Sequence, residues 1–181
     1  MRADKARNRE AVLAAAARLF DEATDPDDVS MDAVAAAAQV GKGTIFRGFG
    51  DRRGLLRALY DERTGHELAA PAAEGTPAEA ALELLTRTWR FKQRNRMLAL
   101  ALEREGSGSP FHNDGYGRLH AQLATLVAQA RGHADADFLA HALIAAVRSD
   151  LIEHLRAHPA VDPEAGLKAL VRSILPTGAE P

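Results

Sequence analysis

Apolar residues recur along this chain at helical spacing, and no run alternates with the period of two that a half-buried strand needs. Residues 6–23 place Val12, Leu13, Ala16, Leu19 and Phe20 on one stripe amid many alanines, which combines amphipathic pattern with strong helix propensity. Pro26 and its aspartate neighbours end that helix at Thr24–Asp28. Ser30 then caps a short helix, Met31 to about Ala38. After a break at Gln39-Val40-Gly41, a second short helix is expected from Lys42 to Arg47, stopped by Gly48-Phe49-Gly50. Asp51 caps a fourth that carries Leu55, Leu56, Leu59 and Tyr60.

The small, Pro- and Gly-bearing stretch Ala69–Thr76 reads as a connection, dividing a domain of residues 1–65 from one of residues 66–181. Thr76-Pro77-Ala78-Glu79 has capping-box spacing with Pro at the first helical position, and the helix it opens carries Leu82, Leu85 and Trp89. Helical pattern continues to about Glu105 with a break at Arg94-Asn95, and Gly106–Pro110 forms a loop. A helix over about 113–130 follows. The last two, 135–157 and 163–175, are the most apolar and are joined at His158–Pro163, short enough for an antiparallel hairpin. The expected fold class is all-α.

At 181 residues and 46% hydrophobic, the chain can bury a core. It has no cysteine, which excludes disulfides, thiolate metal sites and a Cys nucleophile. The charged start, MRADKARNRE, and the lack of a long apolar run point to a cytoplasmic protein without a membrane span. The net charge of −2 argues on its own against a nucleic-acid partner, but the charge is segregated. Residues 1–20 carry net +3 and residues 42–57 net +4, with an acidic block at 21–32 between them. Solvated helix faces would give the same runs.

Two short helices joined by a turn of about three residues, all within 30–48, form the corner by which a second helix is held in a major groove. Lys42, Thr44 and Arg47 point away from the side carrying Ile45 and Phe49. Residues 9–60 resemble the N-terminal domain of the TetR family of transcriptional repressors, in Ala16-Arg18-Leu19-Phe20, Ser30-Met31, Val34-Ala35, Val40-Gly41-Lys42-Gly43-Thr44-Ile45-Phe46, Phe49 and Leu55-Leu56. The resemblance implies an N-terminal three-helix DNA-binding domain with a helix-turn-helix, followed by a helical ligand-binding and dimerisation domain. It further implies a homodimer on a palindromic double-stranded operator, released by a small-molecule effector. It places DNA contacts on Ser30, on Lys42, Gly43, Thr44, Phe46 and Arg47, and on Arg52. The chain departs from the family at Phe46, where Tyr is usual, at Gly48 for His, and at Arg52 for Lys. Gln39 stands where a turn Gly is common, so a non-Gly residue is expected in a left-handed conformation at a cost of roughly 1 kcal/mol. Core packing for Phe46 and a solvated charge for Arg47 are the alternatives. Lys42→Ala and Arg52→Ala are expected to weaken DNA binding across sequences, and changes at Thr44 or Arg47 to relax base preference.

In the C-terminal part, Leu139, Leu143, Val147 and Leu151 on one helix and Leu167, Leu170, Val171 and Ile174 on the next are the candidate dimer interface, with closure of the chain's own core as the alternative. Trp89, Phe91, Met97, Phe111, Tyr116, His120 and Phe138 are candidate ligand contacts, since aromatic groups are scarce and gather here. Asp150, His154 and His158 share a helical face, but Pro159 and the absence of a Glu after the first His weaken a metal reading. No cofactor, metal or catalytic residue is expected; a helical metal-binding bundle or enzyme is the alternative function.

Overall fold

The computed structural model describes residues 2–67, 75–105 and 114–175, and among these the regular structure is helical throughout. The helices are α1 (Arg2–Glu22), α2 (Met31–Ala37), α3 (Lys42–Phe49), α4 (Arg52–Glu67), α5 (Pro77–Arg94), α6 (Arg96–Arg104), α7 (Asp114–Arg131), α8 (Ala136–Ala145), α9 (Ser149–Arg156) and α10 (Pro163–Ile174), with a 3-10 turn at Pro26–Asp28. None of them is long and apolar enough to cross a membrane. Two compact units result, one of Met1–His66 and Asn95–Ser109, the other of Glu67–Arg94 and Pro110–Pro181.

The N-terminal unit closes around the stripe read from α1. Val12, Leu13, Ala16 and Phe20 meet Val34 and Ala35 of α2, Ile45 of α3 and Leu55, Leu56 and Leu59 of α4. Helix α6 belongs to this core through Met97, Leu98, Ala101 and Leu102, although a division at residues 65 and 66 places it with the C-terminal domain. Its apolar side packs on α1 and the 3-10 turn, contacts distant in sequence that local composition does not record. Arg63 fastens α4 to both neighbours: its guanidinium donates to both Asp21 carboxylate oxygens at 2.9 Å and to the buried Asn95 side chain ahead of α6.

The C-terminal unit is built on α5, whose capping box forms as its spacing requires. The Glu79 carboxylate accepts from the Thr76 N–H at 2.8 Å and the Thr76 hydroxyl at 2.9 Å, and the same hydroxyl accepts from Glu79 N–H. These hydrogen bonds hold the Glu79 carboxyl below its ordinary pKa. At the start of α10, Asp162 accepts from the N–H groups of Glu164 and Ala165, with Pro163 in the first turn. Arg90 of α5 pairs with Glu164 at 2.7 Å, and Arg131 of α7 donates to the Ile174 carbonyl at 2.9 Å, fixing both ends of α10.

The helix expected over 135–157 is two helices. Between them Ala146, Val147 and Arg148 donate to carbonyls three residues back, and Arg148 turns to extended backbone (φ −69°, ψ 145°). Its guanidinium then grips Asp150 through bonds of 2.8 to 3.2 Å, which hold the Asp150 carboxyl below its usual range. The break bears on the candidate dimer stripe, whose four-residue steps assume one continuous helix. Leu143 and Val147 are fully buried in the unit's own core, with Leu167, Val171 and Ile174, as the alternative of core closure has it. Leu139, Leu151 and Leu170 are half-buried and keep part of their surface in solvent.

Candidate nucleic-acid interface

Helix α2 starts where Ser30, in extended backbone, accepts the Ala33 N–H on its hydroxyl at 3.1 Å. It ends where Gln39 takes the left-handed conformation expected of it, at φ 55°. That single residue reverses the chain: Gln39 N–H reaches the Ala36 carbonyl, Val40 N–H reaches Ala35, and Gly41 becomes the N-cap of α3.

Helix α3 runs two residues beyond its expected end at Arg47, through Gly48 and Phe49. Phe49 is half-buried and Arg9 of α1 lies 4.8 Å over its ring, so the last turn has an anchor that the flanking glycines do not suggest. Gly50, at φ 81°, terminates the helix, and Asp51 caps the next by accepting Gly54 N–H at 2.7 Å. Gly54 lies so close to α3 that a Cβ there would stand 1.9 Å from the Phe49 carbonyl oxygen, which fixes how tightly α4 follows α3.

What α3 offers to solvent is set by Ile45, its one fully buried side chain. Lys42, Gly43, Phe46 and Arg47 are exposed and fall within an arc of about 140° on the helical wheel, at about 100° per residue. Thr44 is half-buried, and Arg47 reaches its hydroxyl at 3.5 Å. Phe46 is 43% exposed, which removes core packing as its role. Lys42 pairs with Asp32 of α2 at 2.6 Å; both are more than half exposed, so solvent screens the pair.

Arg52 is placed differently from the other basic candidates. Its side chain is only 22% exposed, and all three guanidinium nitrogens are engaged within the unit. Nε donates to the Val29 carbonyl at 3.2 Å, one terminal nitrogen to the Pro26 carbonyl at 2.6 Å, and the other pairs with Glu105 beyond α6. It ties the 3-10 turn ahead of α2 to α4 and α6. Arg104 adds a more exposed pair to Asp25 and Asp27 on the same turn.

The candidate ligand residues are not brought into one group. Trp89 and Phe91 are buried in α5 and Met97 in the core of the N-terminal unit. Phe138 is 73% exposed, and Phe111 lies outside the described residues. Tyr116 and His120 of α7 do come together, and with them His141 and Asp137 of α8, which the sequence reading did not select. The available signal was the four-residue step from Asp137 to His141, mirrored by that from Tyr116 to His120, but their meeting depends on the α7 and α8 pairing. Burial raises the Tyr116 hydroxyl above its ordinary pKa.

Residues 12–59 match the family described as bacterial regulatory proteins, tetR family. No curated protein matches the chain. Among solved structures, a TetR transcriptional regulator from Rhodococcus sp. RHA1 is 20% identical, with 98% of this chain and 97% of that one covered and a TM-score of 0.62. A tetR-family transcriptional regulator from Streptomyces coelicolor is 20% identical over 92% of this chain and 78% of its own, with a TM-score of 0.64. NalD, the secondary repressor of the MexAB-OprM multidrug efflux pump in Pseudomonas aeruginosa, is 19% identical over 94% and 95%, with a TM-score of 0.59. At these identities the likeness is one of fold.

Proposed function

We propose that this chain, whose residues 12–59 match the tetR family of bacterial regulatory proteins, is a dimeric transcriptional repressor that lays α3 of each copy in a major groove and lets go when a small molecule occupies its C-terminal unit. The observation that carries the reading is the face of α3: one buried Ile45 holds down an eight-residue helix whose outer arc presents Lys42, Phe46 and Arg47. A short helix of this kind fits the groove by size, and its cations meet phosphate.

Lys42 contacts phosphate, and Gly43 lets the backbone approach. The Phe46 ring takes a thymine methyl or sugar, lacking the hydroxyl that a Tyr would give to phosphate. Thr44 and Arg47 reach base edges, where an Arg can donate two hydrogen bonds to guanine. Ser30 holds the start of α2 against the DNA backbone. Arg52 acts as a strut inside the unit, not as a phosphate contact, because each of its three guanidinium nitrogens already donates within the unit and the side chain is mostly buried.

Two copies pair through the remaining exposed surface of α8, α9 and α10, where Leu139, Leu151 and Leu170 are half-buried. The effector lies in the C-terminal unit with Trp89 and Phe91 of α5 as its apolar wall. The chain regulates and does not catalyse. Enrichment of bound duplexes from a random pool by the full-length protein tests the reading. A palindrome with half-sites about one helical turn apart, bound by two copies, is expected. Absence of any preferred sequence at moderate ionic strength overturns it.

A further inference from the structure

We propose that His120, Asp137 and His141 form a binding site for one divalent transition-metal ion of the Zn2+ class, held between α7 and α8. One ligand atom from each residue lies within 4.8 Å of the others. His120 Nε2 stands 3.4 Å from one Asp137 carboxylate oxygen and His141 Nε2 stands 3.9 Å from the other. Zinc bonds of about 2.0–2.1 Å in a tetrahedral arrangement place neighbouring ligand atoms roughly 3.4 Å apart, so a slight closure of the three side chains suffices.

The surroundings point the same way. The Tyr116 hydroxyl lies 2.6 Å from His141 Nδ1. With Nδ1–H donating to the phenol oxygen, the lone pair of His141 is left on Nε2, the atom that faces Asp137. An imidazole that metal binds is commonly oriented in this way by a partner on its other nitrogen. The His120 and His141 rings are 4.1 Å apart between centroids, close enough for both imidazoles to reach one ion. His120 Nε2 also lies 3.2 Å from the Asp137 carbonyl oxygen, and an ion takes the place of that contact. Two imidazoles and one carboxylate suit Zn2+ and its neighbours in the transition series, not Mg2+ or Ca2+, which prefer oxygen. Three protein ligands leave a position for water.

The other histidine pair provides an internal control. His154 and His158 of α9 and its C-terminal turn lie 4.3 Å apart between ring centroids, but His158 Nδ1 is bonded to the His154 carbonyl at 2.8 Å and Asp150 is held by Arg148. The carboxylate that would complete that trio is already occupied.

Calorimetric titration of the full chain with Zn2+ alone, alongside Mg2+, tests the site. One Zn2+ per chain and no Mg2+ are expected, with the stoichiometric site lost in His120→Ala and His141→Ala and kept in His154→Ala. Tyr116→Phe is expected to weaken binding about tenfold to a hundredfold. Asp137→Asn alters an exposed side chain and keeps the fold, so its loss of affinity reads the site without a folding defect. Absence of stoichiometric Zn2+ binding, binding that survives both His120→Ala and Asp137→Asn, or equal loss in His154→Ala overturns the proposal. DNA binding is read separately and does not enter these outcomes.

Discussion

Lys42 on α3 and Arg52 on α4 are two cations ten positions apart, both drawn by sequence toward the same phosphate backbone, yet the fold gives them opposite situations. Lys42 stands in solvent with one screened carboxylate neighbour. Arg52 is sunk between the 3-10 turn, α4 and α6, with two main-chain carbonyls and Glu105 as partners. A guanidinium can satisfy three acceptors in one plane, and a long side chain lets it reach inward as readily as outward. Charge at a position therefore says little about which surface it serves until the acceptors near it are known.

The sharpest way to break this contrast is to remove the strut. Arg52→Ala leaves the Val29 and Pro26 carbonyls and Glu105 without their charged donor, and we expect a loss of about 2 kcal/mol of folding stability in a denaturant melt. Arg52→Lys is expected to recover little of it, since one ammonium cannot reproduce the fork; full recovery would mean that charge alone matters there. Lys42→Ala is expected to change that melt by less than about 0.5 kcal/mol while lowering DNA affinity several-fold across sequences. Gln39→Gly, at the left-handed turn before α3, is expected to gain at most about 1 kcal/mol, offset in part by the freer unfolded chain. The smallest effect is expected for Asp32→Asn, which frees Lys42 and removes a negative charge from beside the exposed face of α3: a modest rise in DNA affinity, with stability within about 1 kcal/mol.

How far the sequence carries can be judged from particular elements. The caps at Ser30, Asp51 and Thr76 with Glu79 were legible because they are local, each acting within three residues; the Asp162 cap is equally local and was passed over inside the joint before α10. The left-handed Gln39 was expected through the family resemblance, which places a turn Gly there, since Gln carries no local signal for that conformation. The break between α8 and α9 was not, since no Gly or Pro marks it and i to i+4 apolar steps run straight across. The placement of α6, the burial of Leu143 and Val147, and the Arg52 clamp depend on residues far apart in the chain. So does the meeting of His120 with Asp137 and His141: a search along single helices finds Asp150, His154 and His158 instead.

The division of labour between the two cations is tested most directly by the salt dependence of DNA affinity for Lys42→Ala and Arg52→Ala, measured side by side at a temperature where both are folded. Lys42→Ala is predicted to flatten the plot of log affinity against log salt by about 0.9 per bound copy, and Arg52→Ala to leave its slope unchanged. An unchanged slope for Lys42→Ala together with a flattened one for Arg52→Ala would contradict it.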